Sequence, residues 1–146
     1  MSEGNVEVVR SLLGPFEGLD VAGVDWGAEP IRELLDRACS SEVQLRTLES
    51  GAGTGVDAEY HGLDGVVRYL QDWIEPFVEY HAEFLQYIDL GDFVLVPTSN
   101  RGVGSASGAR TEIDLVYACE VKNGVITRML QYDTVEDARA AIAAGP

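Results

Sequence analysis

From Thr111 to Ala144 the apolar residues recur first at every second position and then at helical spacing, so this stretch reads as two long strands and a helix. Ile113, Leu115, Tyr117, Cys119 and Val121 fall on one face of the first strand, and Glu112, Asp114, Glu120 and Lys122 on the other. One polar ring, that of Tyr117, therefore points into an otherwise apolar interior. Asn123-Gly124 turns the chain into a second strand, Val125 to Tyr132. Asp133, with Glu136 three residues on, predicts a capping box for a closing helix that packs Ala138, Ala141 and Ile142 back onto the sheet.

The preceding pattern is helical first and extended later. Val6, Val9, Leu12 and Leu13 share one face of a helix from about Asn5 to Leu13, which Gly14-Pro15 ends or breaks. Gly18 to Gly27 is a connector with a short helical turn that sets Val21, Val24 and Trp26 against the core. A second helix starts at Glu29-Pro30 and turns Ile31, Leu34, Leu35 and Ala38 inward. A strand follows from Glu42 to Leu48, with Val43, Leu45 and Thr47 alternating inward. Leu63, Val66, Val67, Leu70 and Ile74 mark the third helix; Trp73 adjoins that face, and Pro76 stops it. Strands are expected from Val78 to Asp89 and from Asp92 to Thr98, with Asn100 to Gly108 as a long hairpin tip. Three helices, a mostly antiparallel sheet and a terminal helix form an α+β order. A long twisted sheet folded over three helices makes a cone with a pocket at its open end.

Composition narrows the function classes. A chain of 146 residues suits one domain, residues 1–146, with a single sizeable core. The net charge of −15 argues against nucleic acid or an anionic membrane as partner, because both need a basic patch. No apolar run approaches the ~18 residues that span a bilayer, and no secretory leader is evident, so a cytoplasmic location is expected. Cys39 and Cys119 lack CxxC spacing and read as buried thiols in a reducing compartment, more readily than as a disulfide. The glycines of Gly51-Ala-Gly-Thr-Gly55 match neither a phosphate-binding loop nor a dinucleotide fingerprint, and read as a mobile loop able to cover a pocket mouth.

Several short motifs, taken in order, resemble the SnoaL-like group of the nuclear transport factor 2-like (NTF2-like) superfamily. They are Asn5-Val-Glu-Val-Val-Arg10, the run from Tyr60-His-Gly to Asp72-Trp73, Ile88-Asp-Leu-Gly-Asp92, Ser107-Gly108, Asn123-Gly-Val-Ile-Thr-Arg128 and Tyr132-Asp133. The resemblance covers nearly the whole chain. It implies a cone-shaped α+β barrel, in which a curved, mostly antiparallel sheet wraps three N-terminal helices and a short helix ends the chain. It also implies a pocket for a small hydrophobic molecule and, often, a homodimer through the outer sheet face. Family members include ketosteroid isomerases, polyketide cyclases, epoxide hydrolases, dehydratases and non-catalytic binders. Function is therefore to be sought in the pocket residues. Leu45 stands where the isomerase-like pattern keeps a carboxylate base, Leu12 or Leu13 where it keeps a first-helix tyrosine, and Tyr117 or a neighbour where it keeps a second acid. Gln131 takes the place of the last-strand aspartate of the epoxide-hydrolase-like pattern, and an amide cannot abstract a proton.

The candidate chemistry is correspondingly sparse. Tyr117 serves either as a pocket donor to an enolate or carbonyl, or as a core tyrosine bonded to the backbone. Gln131, with Met129 and Thr127, falls on an inward face of the last strand or on a half-wet surface; Arg128 and Tyr132 lie opposite, where a dimer contact is expected. His81 is the one near-neutral base on an expected strand, flanked on its face by Glu79 and Glu83, and the trio is either a general base with acid partners or a solvated face. His61, at a helix start, suits capping or exposure better than catalysis. Tyr117 and His81 are thus the catalytic candidates, and Leu45, Trp73, Leu115, Cys119, Met129 and Gln131 the expected pocket lining. No metal-ligand spacing or nucleophilic triad is present, and no cofactor is expected. The function expected is cofactor-free isomerisation, cyclisation or dehydration of a polyketide- or terpenoid-like molecule; the alternative is a non-catalytic ligand-binding or dimeric interaction protein.

Overall fold

A computed structural model describes residues 2–48 and 59–146; the glycine run Gly51 to Gly55 lies outside them. Helix α1 spans Ser2–Leu13 and gives way at Gly14-Pro15 to a single 3-10 turn. A second turn, Val21–Gly23, is capped by Asp20, and α2 then spans Glu29–Ala38 with Pro30 in its first turn. The remaining elements are β1 (Cys39–Arg46), β2 (Glu59–His61), α3 (Gly62–Ile74), β3 (Phe77–Phe84), β4 (Ile88–Asp89), β5 (Phe93–Gly104), β6 (Arg110–Lys122), β7 (Val125–Tyr132) and α4 (Val135–Ala144). The strands form one curved, open sheet in the order β2-β1-β7-β6-β5-β3, with β4 paired to β5. Every pairing is antiparallel except that of β1 with β7. The fold is the expected α+β type.

Helices cover both faces of the long strands. Val94, Val96, Cys119, Val121 and Met129 turn toward α1, α2 and α3. Their neighbours Phe93, Leu95, Val116, Ala118 and Leu130 pack under α4 through Ala138, with Ile142 at the margin. Glu120, on that outer face of β6, is buried as well. Its carboxylate accepts from Arg128 Nε at 3.1 Å, Arg128 Nη2 at 2.7 Å and Thr127 Oγ1 at 2.7 Å. Those hydrogen bonds, led by the guanidinium's, hold the Glu120 carboxyl down at about 2.

Four local features differ from the sequence expectation. The strand expected over Val78 to Asp89 is split into β3 and β4. Asn100 to Gly104 belongs to β5 instead of a hairpin tip, because it pairs on both sides, Asn100 with Ala82 and with Ile113; two ladders override the low strand propensity of Gly and Asn. Gly102 is required there, since a Cβ would lie 2.5 Å from Phe77 Cδ1. Thr134, not Asp133, caps α4 by accepting from Asp137 N at 3.1 Å. Finally, Glu120 pairs with Arg128 while Val121 pairs with Ile126, so Thr127 is the extra residue of a β-bulge. The bulge turns Thr127 outward to Glu120, although strict alternation puts it beside Met129 and Gln131.

The connector between α1 and α2 closes the free edge of β3. Asp20 Oδ1 accepts from Tyr80 N at 3.0 Å, and Glu17 Oε2 accepts from Phe84 N at 2.9 Å. Outward N–H groups that otherwise invite another strand are thereby occupied. The Tyr80 and Ala22 amides hold the Asp20 carboxyl below its ordinary range.

Two predictions follow from the packing. Replacing Glu120 by Gln lowers stability near neutral pH by about 2 kcal/mol, less than the ~3–5 kcal/mol of a fully buried pair, because Arg128 keeps some solvent contact. The folded-state pKa is depressed, so the carboxylate's contribution is complete above its ordinary 4.5 and is lost as pH falls toward about 2. Urea unfolding of both proteins at several pH values should show the gap closing over that window. Cys39 and Cys119 are free and buried, and burial pushes both thiols up to about 12 from 9.0. Their thiolate fraction falls about a thousandfold, so a disulfide reagent in mildly alkaline buffer should label them at the rate of unfolding and not of a free thiol.

Candidate functional site

The three N-terminal helices do not fill the inner face of the sheet. Between them lies a cavity enclosing about 130 Å3, within about 930 Å3 of atom-free space once its mouth is included. The enclosed part is close to the volume that accepts a single aromatic ring in an apolar protein cavity. Its walls are almost wholly apolar, supplied by α1, α2, the connector around Val21 and Trp26, and inward side chains of α3 and five strands. Among the described lining residues there is no Asp, Glu, His, Lys or Arg. Nor is any group of three or more His, Cys, Asp or Glu among the described residues arranged to hold a metal ion.

One polar cluster breaks the apolar wall. Tyr69 from α3 and Tyr117 from β6 meet with their hydroxyls 2.9 Å apart. Gln131, on β7, donates from Nε2 to both phenol oxygens, at 3.3 Å to Tyr117. The amide cannot be turned over, because Gln131 Oε1 accepts from Leu48 N at 3.4 Å. The hydrogen inventory is then decided. Both phenol oxygens accept from Gln131, one phenol hydrogen is spent on the other phenol, and one O–H is left over. Burial pushes the pKa of Tyr69 and of Tyr117 upward, so both stay neutral donors through the physiological range. Beside them Trp73 Nε1 donates to Tyr80 Oη at 2.7 Å, and the Trp73 indole stacks on Tyr69 with ring centres 6.1 Å apart. Trp26 also lines the cavity, and its buried Nε1 has no hydrogen-bond partner among the described residues.

The structure brings most of the expected lining residues together. Tyr117, Leu45, Trp73, Cys119 and Met129 line the cavity, and Gln131 lies buried against the two phenols. Leu115 is buried but does not line it; its carbonyl accepts from Thr98 Oγ1 at 2.9 Å. His81 is not brought to the site. Tyr80, Ala82 and Phe84 take the inward positions of β3, which sends His81 outward to Glu79, 3.0 Å away. Glu83 pairs with Arg101 at 2.9 Å on the same outer face, and His61 is exposed beside Glu59. Arg128 and Tyr132 do lie opposite Gln131, but Arg128 is engaged with Glu120 and Tyr132 packs under α4.

Three polar residues that line the cavity are not among those expected from the sequence. Tyr69 stands three residues after Val66 and four before Trp73, so helical spacing does put it on the buried stripe. Tyr80 alternates with His81 and so lies on the face opposite the histidine. Asn100 falls in the stretch expected as a hairpin tip, which belongs to β5.

The comparisons with known proteins agree with this architecture. The SnoaL-like domain family matches residues 26–129. TerC, in a crystal structure with polyporic acid, is similar at 17% identity over 96% of this chain and 98% of its own, with a TM-score of 0.70. An NTF2-like protein from Burkholderia pseudomallei K96243 is 14% identical over 94% of this chain and 95% of its own, also with a TM-score of 0.70. An LEH-like epoxide hydrolase from M. tuberculosis is 14% identical over 99% of this chain and 92% of its own, with a TM-score of 0.61. No curated protein matches the sequence. At these identities the solved structures speak for the fold alone, whereas the family match spans most of the chain, and the chain belongs to the SnoaL-like domain family.

Proposed function

We propose that this protein binds a small, largely hydrophobic molecule through one oxygen, a carbonyl or its equivalent, held by the Tyr69–Tyr117 pair. The observation that carries the reading is an apolar cavity whose polar cluster has one uncommitted O–H and no carboxylate or imidazole beside it. An apolar wall with a few placed polar groups is the usual build of a small-ligand site. The neighbour TerC, crystallised with polyporic acid, supports the same use of the fold. In this reading residues 1–146 form one SnoaL-like unit that works in the cytoplasm, and the resemblance implies a homodimer.

A second reading, enzymatic, has one observation in its favour. A neutral phenol pair in a dry cavity is suited to receive the negative charge that develops on an enolate oxygen. Tyr117 and Tyr69 would supply that donor, but the base would have to come from outside the described lining.

Binding of acetophenone and ethylbenzene, measured by isothermal titration calorimetry, tests the first reading. The native protein should prefer the ketone by about tenfold, the worth of one neutral hydrogen bond of ~1.4 kcal/mol. Tyr69→Phe or Tyr117→Phe alone leaves one phenol whose hydrogen is no longer spent on its partner, so each costs only about threefold. The triple variant Tyr69→Phe/Tyr117→Phe/Gln131→Met should lose the preference and keep ethylbenzene. Equal affinity of the native protein for both compounds would overturn the assignment. The second reading has its own measurement: exchange of the acetophenone methyl protons in deuterated water, followed by NMR. Exchange no faster than buffer is the expected result, and acceleration abolished in the triple variant would move the protein to the enzymes.

A further inference from the structure

We infer that Asn100 gives the cavity a second polar pole, a fixed hydrogen-bond acceptor that selects apolar ligands carrying a neutral hydroxyl group. The inference rests on the reading of the cavity as a ligand site and names the ligand class more closely.

A chain of four groups decides which way the Asn100 amide faces. Thr98 Oγ1 donates its single hydrogen to the Leu115 carbonyl at 2.9 Å. Its oxygen can then only accept, and it accepts from Asn100 Nδ2 at 2.8 Å. The second hydrogen of Nδ2 goes to the Ile113 carbonyl at 3.0 Å. Turning the amide over would set Oδ1 against a carbonyl and a committed hydroxyl, three acceptors with no hydrogen between them. Oδ1 is therefore the atom left to face elsewhere.

Where it faces follows from burial. Asn100 is a buried residue and lines the cavity. Its Oδ1 has no hydrogen bond among the described residues, and it is not one of the fully enclosed unpartnered side-chain atoms there, which are Trp26 Nε1 and Tyr132 Oη. Oδ1 thus keeps open space beside it, with both lone pairs uncommitted, on a residue that lines the cavity. Buried polar atoms are nearly always satisfied, so the group meeting it there is a donor.

The cavity also says what kind of donor. With no acid among the described lining residues, an ammonium would be buried without a counter-charge, so the donor is neutral, and a hydroxyl is the simplest such group. Asn100 pairs with Ile113, and Val96 pairs with Tyr117, so the two poles are four residues apart along the same ladder. That is roughly 13 Å along the backbone. The ligand that would reach both poles is an elongate one, with its carbonyl at the phenols, a ring between, and its hydroxyl at Asn100.

The test uses acetophenone and 4-hydroxyacetophenone, titrated into the whole protein by calorimetry. The native protein should bind the hydroxylated compound about tenfold more tightly. Thr98→Val alone removes one of the two acceptors that fix the amide and leaves the Ile113 carbonyl, so the preference should shrink to about threefold. The double variant Thr98→Val/Asn100→Leu removes donor and acceptor together and keeps the shape, so it should stay folded by circular dichroism and bind both compounds alike. A native protein that gains nothing from the hydroxyl, or a folded double variant that still prefers it, overturns the role of Asn100 alone. Failure of both compounds to bind the native protein overturns this inference and the ligand-binding reading with it.

Discussion

Strands β5, β6 and β7 are apolar on both faces, and each face has to be covered. Most of the molecule answers that demand. On the outer side the answer is one short helix, α4, which reaches only part of the surface. It leaves Glu120 inside the covered zone, where a carboxylate persists only because Arg128 and Thr127 surround it. On the inner side three helices and a connector span a curved surface wider than they can fill. The cavity is what remains.

The same demand explains why the site has so little acid–base chemistry. A wall built from core positions of strands and helices selects apolar side chains, and any polar group placed there must find partners within the wall. Tyr69, Tyr117 and Gln131 satisfy one another almost completely, as do Thr98, Asn100 and two backbone carbonyls. What each cluster leaves over is small: one phenol hydrogen in the first, one amide oxygen in the second. Both leftovers are neutral. No charged side chain stands beside either of them among the described lining residues.

Much of this was legible in the chain. Periodicity placed four helices and the closing strand pair, and the inward set on β6 was read correctly because Tyr117, Cys119 and Val121 alternate without interruption. Periodicity misled where the backbone departs from regular form or where a neighbour sits on the second face. Thr127 lost its parity to a bulge, and Glu120 lost its solvent to α4. His81 is the one imidazole on a strand that the sequence predicts, whereas the residues that line the cavity from β3 are its less reactive neighbours. Asn100 lay hidden for another reason: its strand is held by pairing on both edges and not by its own side chains, and single-chain propensity carries no record of such partners.

The bulge at Thr127 has a further meaning for how such a site changes over evolutionary time. It is one residue of slack in the strand that delivers Gln131 to the phenols. Beyond it, every side chain of β7 has a place on one face by count alone, Met129 and Gln131 inward, Leu130 and Tyr132 outward. Loss or gain of a single residue at this point would exchange those two sets without altering any of them. A lineage could thus bring the ring of Tyr132 or the branched chain of Leu130 into the cavity by a change in length, keeping its amino acids and discarding its ligand. In this architecture the reading frame of a strand is as much a determinant of chemistry as its composition.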